Sequence, residues 1–236
     1  ETIKVHVIGF AKVMGDVRDG ALNVIFFFCV TIVVTALLVW LYSQSFIFSV
    51  LPMGCSLAAV AWQLGIIHLM GFGIDPMSIL VPFLVFAIGV SHGVQMVRVF
   101  RDQLFHGEEA LIAARKAFSE LLIPGGVALL TDTIGFITIL LIPVPTIREL
   151  AIAASVGVAA IIVTNLILLP LLLSYQKPSH TYRERVAKRK IKTKKFWHHV
   201  SVVSERRVAK VLAIIGILLF VFAFDQATRV EVGDLH

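Results

Sequence analysis

Two ionisable side chains stand in stretches that are otherwise apolar. His92 lies in Gly89-Val90-Ser91-His92-Gly93-Val94-Gln95, and Asp132 in Thr131-Asp132-Thr133. A carboxylate and an imidazole facing each other in low dielectric can share one proton, and the pair then titrates as a unit. Histidine changes charge near neutrality when unperturbed, whereas an aspartate must be desolvated to hold a proton there. That is the chemistry of a proton relay. The other reading is a static buried pair, or two unrelated polar residues satisfied by backbone and hydroxyls.

Whether the two can meet depends on the elements that carry them. The 236 residues are 58% hydrophobic and 15% charged, with a mean hydropathy of +0.92, against roughly 45–50% and 25% in soluble domains. An ordinary soluble enzyme is excluded. The apolar residues fall in blocks of about 20, the length needed to cross a bilayer. Six spans follow: Leu22–Tyr42, Phe46–Met70, Met77–Phe100, Pro124–Ile142, Leu150–Ser174 and Ala209–Ala227. The expected fold is all-α, a polytopic transmembrane helical bundle. Gly107–Leu122 adds an amphipathic helix, with Leu111, Ala114, Phe118, Leu121 and Leu122 on one side and Glu108, Glu109, Lys116 and Glu120 on another; it reads as an interfacial helix or as a connector that buries its apolar stripe against lipid or neighbouring helices.

At about 1.5 Å of rise per residue, His92 falls roughly 6 Å to the cytoplasmic side of its span centre and Asp132 roughly 2 Å to the same side of its own. The depths match within the reach of a side chain. Asn165 in the fifth span comes out at a similar level, Ser91, Thr131 and Thr133 supply hydroxyls beside the pair, and Gln95 lies three residues from His92 on nearly the same face. Ionisable groups in a membrane span cost roughly 2.5–3.5 kcal/mol on insertion scales and normally have a partner. Small residues at four-residue spacing, Ala87/Ser91 and Gly89/Gly93 in the third span and Ala151/Ser155/Ala159 in the fifth, allow close helix packing.

Charge sets the orientation. Between Gln176 and Lys210 there are 12 Lys or Arg residues against Glu184 and Glu205, a run explained by topology and anionic headgroups, with nucleic acid a poor partner. Together with Arg98, Arg101, Arg115 and Lys116, this puts 16 of the 21 basic residues on one side, which is then cytoplasmic. Both ends of the chain are expected on the opposite face. No secretory signal is read at the start, and the chain is expected to be a piece of something larger. Residues 1–21 and 228–236 would be ends of soluble domains, 22–175 a five-helix bundle, 176–208 a basic linker and 209–227 the start of a second half.

No catalytic, cofactor or metal constellation is present. Cys29 and Cys55 both lie in apolar blocks, and Ser91 stands about 100° around the helix from His92, a poor arrangement for nucleophile and base. No enzyme activity is expected.

The run Gly73-Ile74-Asp75-Pro76-Met77-Ser78-Ile79-Leu80-Val81-Pro82-Phe83 through Val90 resembles the fourth transmembrane helix of resistance-nodulation-division (RND) transporters, in the branch shared with MMPL lipid exporters and sterol-sensing domains. Ala128-Leu129-Leu130-Thr131-Asp132-Thr133-Ile134-Gly135-Phe136, then Pro143-Val144-Pro145-Thr146-Ile147-Arg148-Glu149-Leu150 and the fifth span ending Leu169-Pro170-Leu171, is similar to that family's fifth and sixth helices. The resemblance implies an RND-type half-repeat holding helices two to seven, a cytoplasmic linker between pseudo-repeat halves, and stubs of two periplasmic domains. It implies a bacterial inner-membrane, proton-driven exporter whose partners are lipids, a hydrophobic or amphiphilic substrate, protons, the rest of the transporter and a homo-oligomer. A sterol-sensing-like binding or scaffold bundle is the rival. Many family members carry acidic residues in the fourth helix where this chain has Ser91 and His92, and a neutral, hydroxyl-rich motif in the fifth where it has Asp132.

Overall fold

The computed structural model describes residues 10–73, 78–176, 182, 201 and 205–229. The chain divides into two units, Glu1–Ser179 and His180–His236. In the first, α1 (Phe10–Ser43) and α2 (Phe46–Leu69) are followed by a 3-10 turn (Ser78–Leu80), α3 (Val81–Phe105) and α4 (Ala110–Ile139). A final long helix begins as α5 (Pro145–Ile161), widens into a π segment (Ile162–Leu168) and ends as α6 (Leu169–Ser174). The second unit holds α7 (Arg206–Ala227), whose end is closed by Arg229, 3.0 Å from Asp225. Six helices are long and apolar enough to span a membrane among the described residues: Asn23–Ser43, Phe46–Leu69, Ser78–Phe105, Ala110–Ile139, Pro145–Ser174 and Val208–Ala227. The all-helical, six-span expectation holds. Of the expected terminal stubs, 1–21 and 228–236, residues 1–9 and 230–236 lie outside the described residues, as does nearly all of the basic linker.

Each turn between spans has an identifiable local cause. Ser43 and Ser49 join their hydroxyls at 2.7 Å across the α1–α2 corner, which Gln44 turns at φ 54°. α2 ends at Gly71 (φ 81°) and α3 at Gly107 (φ 93°). In both, the glycine N–H bonds back to the carbonyl three residues earlier and the next N–H to the carbonyl five earlier: Gly71 to His68 and Phe72 to Ile67, then Gly107 to Leu104 and Glu108 to Gln103. This paired cap needs a left-handed residue, which glycine supplies without a Cβ clash. Arg148 Nε donates to the Ile142 carbonyl at 3.0 Å across the α4–α5 turn.

The core lies along the seam of α2, α3 and α5, with α4 against α3 and α5. Lipid tails are as apolar as leucine, so close backbone approach rather than water exclusion holds such helices together. α3 supplies Val85, Gly89, Val90, Gly93, Val97 and Phe100, and α5 a face of Ala151, Ala154, Gly157, Val158 and Ile161. A Cβ on Gly157 would stand 2.2 Å from Val85 Cγ2, so that crossing exists only because residue 157 has no side chain. α1 joins through Phe28, whose ring lies 4.8 Å from Phe83 and 5.6 Å from Phe86.

Gly107–Leu122 behaves differently from a separate interfacial helix. Its helical part, from Ala110 on, is the opening stretch of the 30-residue α4, which runs on through Pro124. Thirty residues span about 45 Å against a hydrocarbon core of about 30 Å, so α4 carries Arg115, Lys116 and Glu120 beyond the membrane. Ala113, Ala114 and Ala117 are buried, while Leu111 and Leu122 face outward. The small residues, not the large ones, make the contact, because only they let the helices close.

Candidate functional site

His92 is half-buried on α3, where its Nδ1 lies 3.0 Å from the Ile88 carbonyl. A carbonyl only accepts, so Nδ1 carries the hydrogen and the neutral ring presents a bare Nε2. The ring rests against α4 at Gly125, where a Cβ would stand 3.9 Å from His92 Cδ2 and 3.2 Å from Leu166 Cδ2 of the π segment. Gly125 thus admits both side chains to one level of the bundle.

Asp132 lies seven residues further along α4, about 10 Å of helical rise from Gly125. Its side chain is exposed on the bundle surface, among exposed Leu130, Ile134 and Ile137. Thr131 and Thr133 bond to the carbonyls of their own helix, Val127 and Leu129, each at 2.8 Å. No ion pair joins His92 and Asp132 among the described residues. The matched depths came from a fourth span starting at Pro124; the helix starts at Ala110 and packs along α3, which brings Gly125 and not Asp132 opposite the imidazole. Ser91 and Gln95 are exposed on α3 with Ala87 and Arg98, a polar stripe facing away from the core. The seven candidate residues therefore separate: His92 at the α3–α4 contact, Ser91 and Gln95 outward on α3, Thr131, Asp132 and Thr133 on α4, and Asn165 deep in the core.

Asn165 occupies the most constrained polar position of the group. It and Thr164 are fully buried in the π segment, where the Leu169 N–H bonds five residues back to the Thr164 carbonyl. Pro170, just beyond, has no N–H for the Leu166 carbonyl four residues earlier, which favours widening of the ladder there. Asn165 Nδ2 donates to Thr164 Oγ1 at 3.3 Å, but its Oδ1 has no hydrogen-bond partner. Two glycines of α3 make room for the amide: a Cβ on Gly89 would lie 3.3 Å from Nδ2, and one on Gly93 2.8 Å from Oδ1. From α2, Pro52 closes on Gly93 and Ser56 on Gly89, and the Ser56 hydroxyl is spent on the Pro52 carbonyl at 2.7 Å. Further along the same seam, Gln63 is also buried with Oε1 unpartnered, beside Gly157.

Sequence reasoning gave Asn165 only a supporting role and missed Pro52, Ser56 and Gln63. The signal that was available is the Gly89/Gly93 spacing, which marks a face of close approach, together with Pro170 five residues after Asn165. No residue of the chain announces that α2 is the third wall.

The MMPL family model matches residues 1–211. No curated protein matches the chain. With six apolar helices of spanning length and that match over most of its length, the chain belongs to the MMPL family, as a multi-pass, transporter-like membrane protein of the RND/MMPL superfamily.

Proposed function

We propose that the chain is part of a proton-motive-force-driven exporter of hydrophobic or amphiphilic, lipid-like substrates in a bacterial inner membrane, with both ends on the periplasmic side. His92 and Asp132 are its two proton-carrying groups, acting as separate stations. The observation that carries this reading is the imidazole of His92 inside a membrane span, with Nδ1 engaged and Nε2 left to take a proton. Protonation there creates a cation in a region that penalises unpaired charge. The arrangement of helices that offers Nε2 water or an anion is then favoured, and deprotonation reverses the preference.

The magnitudes suit two stations. At roughly 150 mV one proton supplies about 3.5 kcal/mol, short of the roughly 5.5 kcal/mol needed to turn a 1:99 equilibrium into 99:1. Two protons exceed it. With about 10 Å of rise between the levels of His92 and Asp132, a proton passes between them over water or by helix movement, not across one hydrogen bond. Ser91 and Gln95, outward on α3, contact the remainder of the transporter or a second copy, and lipids cover the apolar faces.

The test is export by the full-length protein in vesicles with an imposed proton gradient. His92→Ala and Asp132→Asn each abolish gradient-driven export under this reading; export and its pH dependence left intact by both would end it. The rival, a sterol-sensing-like lipid-binding or scaffold bundle without active transport, is favoured by one observation, the lack of an ion pair between the two groups among the described residues. It predicts lipid binding that survives both substitutions and no proton flux.

A further inference from the structure

We propose that the π segment of the last long helix is a register switch, with Asn165 as its latch. In the observed state the ladder is widened from Ile162 to Leu168 and the Asn165 amide is held between Gly89 and Gly93 of α3. The latch is imperfect. A buried amide oxygen without a donor has lost its hydration and gained nothing in exchange, and Oδ1 of this fully buried residue has no donor. That penalty weighs against the π register, whereas the Pro170 ring, which crowds the Leu166 carbonyl four residues back, weighs against the α register. Two opposing terms in one turn of one helix set the registers in competition. Segments of i→i+5 bonding occur mostly as such single insertions and frequently at functional sites.

Closing the ladder to i→i+4 takes one residue out of the bulge. Everything beyond it turns by about 100° and shifts by about 1.5 Å relative to Pro145–Ile161. Asn165 leaves the glycine cradle, and Leu166 moves off Gly125, the residue against which the His92 ring rests. At the end of the helix, Leu173 is fully buried, Leu171 is 53% exposed and Leu172 is intermediate. After the turn Leu172 takes the buried direction and Leu171 the intermediate one. The switch stands on this geometry alone; only its use, moving the contact beside His92, rests on the transport reading.

The experiment places a nitroxide at Leu171, Leu172 or, as a reference ahead of the π segment, the exposed Ala159, in the full chain carrying C29A and C55A in lipid vesicles. Collision with dissolved oxygen reports exposure to lipid. Pro170→Ala removes the ring and restores the N–H, and Gly93→Ala puts a Cβ 2.8 Å from Oδ1, pressing on the amide, and 2.7 Å from Pro52 Cβ of α2. Each is expected to lower oxygen access severalfold at 172 and to lower it at 171, with 159 unchanged. Asn165→Leu removes the orphaned oxygen and keeps the original pattern. Values at 171 and 172 unmoved by both Pro170→Ala and Gly93→Ala overturn the switch, as does a parallel fall at 159, which would mean that the whole helix had moved. The readout needs no transport, so failed export in vesicles and a failed switch are told apart.

Discussion

Asn165 Oδ1 stands 2.8 Å from where a Cβ on Gly93 would be. A larger residue at 93 has no place between Asn165 and Pro52, and among the described residues the amide hydrogen-bonds to Thr164 alone. A polar side chain held by absent side chains is a specificity device rather than a source of stability.

Replacing that amide should therefore strengthen the bundle. Asn165→Leu keeps the branched shape and removes an unpaired buried carbonyl, so the full chain in detergent should unfold at a higher temperature, with a gain of about 1–3 kcal/mol. Asn165→Ala should lose stability, because it leaves a cavity between α2, α3 and α5.

Gly157→Ala should be severely destabilising, since the new Cβ meets Val85 Cγ2 at 2.2 Å. Overpacking of this kind costs about 1–3 kcal/mol or more. The double variant with Val85→Ala should recover part of the loss, and a thermal-unfolding cycle over the four proteins should give a favourable coupling between the two substitutions. Additive losses would mean that the two helices separate instead of clashing.

His92→Ala and Asp132→Asn should act independently on stability. The first sits opposite Gly125 and the second about 10 Å along the helix from it, so the double variant should equal the sum of the singles to within about 0.5 kcal/mol. Coupling well above that, measured by thermal unfolding, would bring the shared-proton pair back.

Gly71→Ala and Gly107→Ala should each cost about 1–2 kcal/mol, because both positions have left-handed backbone. Open space surrounds the missing Cβ at each, so the loss is conformational, and Asn at either position should restore part of it in the same unfolding assay.

The spans were legible because their signal is collective: twenty apolar residues define a helix whichever neighbour it packs on. Phe46, for example, opens both the expected second span and α2. Depth was less legible. Gly107–Leu122 reads as a separate amphipathic piece, yet Ala113, Ala114 and Ala117 are buried and the piece is continuous with α4, so the helix that carries Asp132 begins 14 residues before Pro124 and sets Gly125, not Asp132, beside His92. Asn165 was visible as a polar residue in lipid, but its cradle is made by two glycines of α3 and closed by α2, and three-helix adjacency leaves no mark on a single chain. The π segment was not anticipated, since Pro170 near the end of a span ordinarily reads as a stop.

The bond from His92 Nδ1 to the Ile88 carbonyl also limits the kind of device this imidazole can be. A ring that conducts takes a proton at one nitrogen and gives it up at the other; here the second nitrogen is tethered to its own helix. Under the transport reading proposed above, loading and discharge would share a single port, and the ring would be a reservoir whose direction of traffic is decided by which compartment that port faces, as in a turnstile.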